Sequence, residues 1–490
     1  MEEVGGGDRA PDCAGRRRGA CGSDDGGNDA EGADIDTNAT LVFGDNLTGS
    51  GFSQRLQPEV MRAICDFTWG NQIYSTLIAR DTKTNEAKPA LAESWKIVSP
   101  RQFTFKLRPN LTFHDGTKLD AAAAKAGLDR NRTAPSLLAP TLSEIDSVVA
   151  ESDGLTVTIN LKSDSSAVLP LTFAGREGHI AAASGTDLKP VGAGPFKFVS
   201  QVVGSEIILE KFDKYWDANN VKIKTFKTVN VVGAAGINSL IAGDVDITPS
   251  SPADVGPARN DSNIKVESAA GADYWKMNMN LTKAPLDAKA FRQAMNYAVD
   301  REAVLKALFN GEGEVAWQPF PATFDAQYQP DQAKKYPRDV AKAKAALTQA
   351  GFPNGTTIEA QYPAQNPTFQ RFAEIIQAQL KEVGITVNLT ASTNLLTTFF
   401  QQKQGQFIFT LWPARPDPSV TIQRQFGPGQ ITNVGNYTNP NIDAALVKIR
   451  GSVDAKTQAA GYKQAVDTIV GEALDVPVVF PNIVMPHRSG

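Results

Sequence analysis

Three histidines, His114, His179 and His487, and three cysteines, Cys13, Cys21 and Cys65, are the whole supply of imidazole and thiol in 490 residues. None sits in a pattern that does chemistry. There is no HExxH helix to hold zinc, no paired cysteine ligands, no GxSxG elbow for a nucleophile and no Walker phosphate loop. Aspartate and glutamate are plentiful, so a two-carboxylate glycosidase is the enzyme that composition leaves open. No local spacing pairs two of them. His114 belongs to a Phe-His-Asp-Gly turn and His487 lies near the end of the chain, which leaves His179 as the histidine placed to help a metal or chelate. The expectation is a protein that is not an enzyme, with no metal site and no cofactor; a hydrolase is the alternative from another class. Three cysteines cannot build a disulfide framework. Cys65, followed by Asp66 and Phe67, reads as a small buried residue rather than a nucleophile.

The rest of the chain must therefore be read for binding. At 490 residues it exceeds one hydrophobic core and should hold two or three domains. An apolar fraction of 41% and a charged fraction of 21% are those of a soluble globular protein. A net charge of −4 argues against a nucleic-acid partner, which would select a basic stripe. No apolar run is long enough to span a bilayer.

Residues 22–36 hold six acids and four glycines with no basic residue, a composition that cannot bury enough apolar surface to order itself. Cys21 stands directly before this stretch. A Cys followed by Gly, Ser and Asp resembles the lipid-attachment site of bacterial lipoproteins, so Cys21 is the candidate anchor and residues 1–36 the linker. Arg18-Gly19-Ala20 upstream depart from the usual lipobox, and residues 1–20 carry no apolar stretch of a signal peptide.

After the linker, helical and extended periodicities alternate. Thr40–Gly44, Phe103–Leu107, Ser147–Val149, Thr156–Leu161, Glu206–Lys211, Tyr274–Leu281 and Ile385–Leu389 read as strands. Residues 117–132, Phe291–Val299, Arg301–Asn310 and Asp339–Ala350 read as helices, with Asp300 and Asp339 as caps. Phe369, Phe372, Ile376 and Leu380 share one helical face. Pro89–Trp95 reads as a short apolar turn of helix. Asp475–Val484 reads as a strand broken by proline.

The stretch from Pro89 to Gly116 carries a more specific message. Pro89, Leu91, Ala92, Glu93, Ser94 and Trp95 lead into Phe105, Leu107 and Arg108, and then into Phe113, His114, Asp115 and Gly116. This order resembles the signature of the extracellular solute-binding proteins of family 5, the peptide- and nickel-binding group that serves ABC importers. Val191-Gly192-Ala193-Gly194-Pro195-Phe196 resembles the family's VGTGPY turn, and Phe291–Val304 resembles its helix reading RQAxxYAIDR. The resemblance runs from about residue 40 to 485. The family usually continues somewhat further, so a short C-terminus is expected.

The resemblance implies an α/β fold with mixed sheets: two lobes of the periplasmic-binding-protein type, a hinge, and an inserted subdomain in the first lobe. By analogy lobe I is built from 37–57, 190–272 and 475–490, the insertion is 58–189, and lobe II is 273–474. The glycines of 192–194 are expected to serve a strained crossover between lobes. The implied function is capture of a small solute, an oligopeptide or related compound, in the cleft between lobes, with hinge closure and delivery to the permease subunits of an ABC importer. The protein is expected outside the cytoplasmic membrane as a monomer, held to the membrane only through the candidate lipid anchor.

The resemblance also places the site. Phe409–Pro418 matches the family loop that lines the cleft in lobe II, with Trp412 expected to stack on the ligand. Where peptide binders of the family carry an Asp for the peptide amine, this chain has Arg415; Asp417 follows two residues later. A guanidinium offers five donors in a planar fork and prefers carboxylate or phosphate oxygens. Arg415 pointing inward implies a non-peptide anionic or sugar-like solute or a metal chelate; Asp417 pointing inward keeps a peptide or other amine. Asn46, Trp69, Gln72, Arg176, Gln318 and Tyr362 complete the candidate ligand contacts, with Trp317 beside Gln318.

Overall fold

The computed structural model describes residues 36–48, 55–61, 64–81, 84–231, 233–364 and 366–489. Cys13, Cys21 and the side chain of Cys65 lie outside the described residues, as does the linker up to residue 35. The chain from Thr37 onward forms one unit.

Three principal sheets organise it. In the first, Thr40–Asp45 runs parallel to Thr225–Asn230, which continues antiparallel to Glu206–Lys211 and Phe196–Val202. A strand pair, Ile264–Ala269 with Ile483–Arg488, joins this sheet through bridges from Ile247 to Phe43 and His487. The second is antiparallel, in the order Ala92–Ser99, Gln102–Leu107, Thr156–Leu161, Ile145–Ala150. Helix Ala121–Arg132, capped by Asp120, packs on it over a core that includes Phe103, Phe105 and Phe173. Pro89–Trp95 is thus extended, not helical: Ile78–Arg80 pairs with Ala87–Pro89, and Trp95 sits opposite Phe105. The ladder partners outweigh the local preference of Leu, Ala and Glu for helix.

The third sheet is mixed and six-stranded. Tyr274–Met279 lies between Val476–Pro481 and Phe407–Trp412, both antiparallel to it, and Thr356–Pro363 is parallel to Phe407–Trp412 and Ile385–Ser392. Gly313–Val315 closes one edge. Helix Pro367–Glu382 buries Phe369, Phe372, Ile376 and Leu380, the face its spacing predicts. Phe369 stacks on Trp275 with ring centroids 4.2 Å apart. Asp300 and Asp339 cap the helices that follow them through Ala303 N–H and Lys342 N–H.

The chain passes between the first and third sheets at two places, residues 270–273 and Asn482. The expected boundary at 475 moves accordingly: Val476–Pro481 belongs to the six-stranded sheet, and only Ile483–Arg488 pairs with the first sheet's strands. The two passages lie side by side. A β-carbon on Gly271 would meet the Pro481 carbonyl oxygen at 2.0 Å, and Asn482 donates to Ser268. Gly192 and Gly194 follow the same rule. Neither has a positive φ, so the strain expected there is absent; a β-carbon on Gly192 would sit 2.0 Å from the Ile73 carbonyl oxygen. These glycines permit close backbone approach rather than unusual dihedrals.

Beside the passages lies a buried ionic knot. Lys276 Nζ is 2.7 Å from Asp475 Oδ1, with both side chains almost fully covered, and Tyr274 Oη donates to Asp475 Oδ2. Gln425 bonds both Tyr274 and Lys276. Satisfied on all sides, such a pair fixes geometry more than it adds stability.

Gly271→Ala is expected to force the two passages apart and to lower unfolding stability by about 1–3 kcal/mol, the usual cost of overpacking. Urea denaturation with an unchanged m-value checks it; a variant as stable as wild type would show that the passages separate freely.

Candidate functional site

A cavity of about 330 Å³ opens between residues of 67–177 on one side and Asp273 with 413–424 on the other. The first wall comes from helix Ile64–Ile73, which contributes Phe67 and Asn71, and from the turn Arg176–Gly178, which contributes Arg176 and Glu177. The second wall is the loop after strand Phe407–Trp412 and the helix Ser419–Phe426 that follows it, which contribute Arg415 and Arg424. Asp273 comes from the passage between sheets. The walls meet at a rim: Asn85 Nδ2 donates to the Pro416 carbonyl at 3.3 Å, and a β-carbon on Gly175 would lie 3.5 Å from the Pro416 ring.

The second wall is held from behind. Asp417, 3% exposed, accepts from Ser419 N–H through Oδ1, and its Oδ2 is 4.0 Å from Arg450. Arg450 in turn donates to Gln423. Burial pushes the Asp417 carboxyl up, against the pull of Arg450. In front, Asp273 accepts from Ala414 N–H at 2.7 Å, and burial raises its carboxyl as well.

Arg415 differs from the fully bonded buried cations. Its Nε finds no protein partner, although the side chain is largely covered. Burial, and then the nearby Arg176 guanidinium, push its pKa down to about 10. Arg301, by contrast, is spread over the carbonyls of Ala316, Pro477, Asn296 and Tyr336 and the Asn296 side chain. Arg176 pairs with Glu177 at 3.4 Å and donates to the Met61 carbonyl. Arg80, on the rim, donates to Asn85. A guanidinium with a covered, unbonded Nε on a cavity wall is poised for an external acceptor.

Of the residues expected at the site, Arg176, Arg415 and Asp417 line the cavity. Asp417 supports the loop through Oδ1, which accepts from Ser419 N–H, while its Oδ2 has no hydrogen-bond partner and lies 4.0 Å from Arg450. Trp412 does not reach the lining: it packs with Tyr274, Ala316 and Phe480, and its Nε1 donates to Thr421. Trp69 is fully buried among Leu47, Leu56 and Ile73. Gln72 bonds back to Thr68 in its own helix, while its neighbour Asn71 takes the lining position. Gln318 is fully buried and bonds both main-chain groups of Gln329. Trp317 lies under the Arg301 guanidinium. Asn46 turns to Thr48, and Tyr362 packs on the core of the six-stranded sheet. His179 is fully covered, its Nε2 3.0 Å from Asn71 Oδ1. Phe67, Arg80, Glu177, Asp273 and Arg424 are lining residues that the sequence alone does not single out. Only the acid-after-arginine order at 176–177 offers a local signal.

The model of the bacterial extracellular solute-binding proteins, family 5 (middle), matches residues 86–433. The chain belongs to this family. The glutathione-binding protein of Pectobacterium atrosepticum is 30% identical over 417 residues, 78% of each chain. Heme-binding protein A of Haemophilus influenzae is 27% identical over 482 residues, covering 90% of this chain and 87% of the relative. Among solved structures, the binding protein AgaA of A. tumefaciens R10 in complex with agropinic acid superposes with a TM-score of 0.81 at 26% identity, covering 92% and 94% of the two chains. The peptide-binding protein DppA of Helicobacter pylori, with peptide STSA, gives 0.80 at 24% identity over the same shares. The fold is the two-lobed α/β architecture, and the protein is an extracytoplasmic solute-binding protein whose relatives are binding proteins rather than enzymes.

Two neutral histidines give this family 5 protein an acid-side weakness. Burial lowers His179 to about 3 and His114 to about 4. Both pKa values are depressed by folding, so the stability they contribute is full above about 6.5 and is lost as pH falls toward 4 and 3. Each imidazole contributes a slope of roughly 1.4 kcal/mol per pH unit in that window. Urea unfolding at pH 7, 5.5 and 4.5 should show the decline, and His179→Gln should flatten it; a variant with the wild-type slope would remove His179 as a cause.

Proposed function

We propose that this protein is the capture component of an ABC importer: a monomeric receptor that closes its interlobe cleft on one small acidic solute and hands it to permease subunits, without turning it over. Cys21, ahead of the acidic linker, serves in this reading as the lipid attachment that keeps the receptor at the outer face of the membrane. The observation that carries the reading is Arg415, a largely buried guanidinium without a protein partner at Nε, in a cavity walled by both halves of the molecule. A solute bound there contacts both walls, so its binding energy favours the shut state. An ammonium group would be repelled by Arg415, whereas a carboxylate gains a charge-assisted bond. The relatives named for glutathione and agropinic acid fit a cleft of this kind.

A second reading, an oligopeptide receptor, is favoured by one observation. Asp273 puts a carboxylate on the lining, where a peptide amine could sit. The acid expected for that role, Asp417, is engaged behind the loop.

Denaturing mass spectrometry of freshly purified protein, paired with small-angle scattering before and after ligand removal, tests both. One anionic species, with expansion of the molecule on its removal, is the expected result. A ladder of mixed peptides would transfer the assignment to the second reading. Conversion of an added solute to product with no change in shape would overturn the receptor function altogether.

A further inference from the structure

The charge inside the cleft says more than that the solute is acidic. Arg176, Arg415 and Arg424 line one cavity, Arg176 lies close enough to act on the other two, and the carboxylate common to all three is Glu177. Asp273 is the remaining acid that acts on Arg415. Its Oδ1 accepts from Ala414 N–H, a bond that leaves its charge in place. Asp417 lines the cavity with Oδ1 bonded by Ser419 N–H and Oδ2 without a hydrogen-bond partner, and Arg450, 4.0 Å from Oδ2, offsets its charge. Arg80 adds a fourth guanidinium at the rim, anchored to Asn85, the residue that also bonds Pro416 across the cleft. The lining as a whole thus carries four guanidiniums, Arg80, Arg176, Arg415 and Arg424, against the carboxylates of Glu177 and Asp273, with the charge of Asp417 offset by Arg450 behind the loop.

The structure assigns the cleft, on the reading above that it holds the captured solute, to a molecule with at least two acid groups: a dicarboxylate, or a carboxylate joined to a phosphate. A monoacid would leave one guanidinium of the lining uncompensated in a partly dehydrated space. A neutral zwitterion such as a simple dipeptide would bring one positive charge for each negative one and leave the excess unchanged. A diacid bonded to both walls would also remove the repulsion that closure creates when Arg176 approaches Arg415 and Arg424. The second acid group is then what makes the shut state favourable, and discrimination between diacid and monoacid is coupled to closure itself.

Thermal unfolding and titration calorimetry on the full chain test this, with inorganic pyrophosphate and citrate as multivalent probes and sodium chloride at matched ionic strength as the reference. Both probes are expected to raise the melting temperature above the chloride reference, and Arg415→Gln with Arg424→Gln is expected to abolish the rise. Either single variant should weaken binding about 10- to 100-fold, the loss of one charge-assisted contact. Each should also leave the ligand-free melting temperature unchanged or higher, because a like-charge repulsion is removed; a purely structural arginine would lower it. No rise with either probe, or the same rise in the double variant, would overturn the diacid assignment. So would a copurifying solute with fewer than two acid groups, although such a solute, released with a change in shape, would leave the receptor function standing. Absence of any retained solute together with an invariant shape would sink the receptor function instead.

Discussion

Two strands of backbone, at residues 270–273 and at Asn482, are the only described connections between the first sheet and the six-stranded sheet, and they lie against each other with no room for a side chain at Gly271. This constraint decides what the molecule can do. Two adjacent tethers allow a rotation and little else, so the walls of the cleft can approach or separate along one path. Asp273, the last residue of one tether, faces the cavity and holds Ala414 of the Arg415 loop; Asp475, shortly before the other, is locked to Lys276. The pivot and the binding loop are thereby parts of one bonded unit.

That unit is made rigid by cations whose needs are met inside the protein. Lys276 has Asp475 and Gln425; Arg301 has four carbonyls and a side-chain amide; Arg292 bonds the carbonyls of Leu286, Asp287, Glu472 and Ala473. Buried cations of this sort are tolerable because nothing about them is left open. Set against them, Arg415 is partly buried, lines the cavity and has no protein partner at Nε.

The sequence shows much of the frame and little of the site, and the reason is range. Thr156–Leu161 alternates strictly, Glu206–Lys211 carries a short apolar run, both are strands over those same residues, and Asp339 caps the helix that its position announces. Pro89–Trp95 misleads because its partners lie at Ile78–Arg80 and Gln102–Leu107, where ladder bonds override helical preference. The site depends on longer range still. Arg415 could be singled out because one residue departs from a family loop. Glu177, Asp273 and Arg424 could not, since their convergence exists only once three distant segments have folded together. The tryptophans erred in the opposite direction. Trp412 and Trp69 have the surface for stacking on a ligand, but the same surface fills a core, and the core took both.

The rim bond between Asn85 and Pro416 is accepted by a main-chain carbonyl, which every residue possesses. The side chains on either side of it, Arg415 and Asp417, can therefore be exchanged by mutation without removing the acceptor. A receptor built this way separates the fastening from the lock. Its descendants can change which solute they recognise, one loop residue at a time, while the lobes keep the same way of meeting.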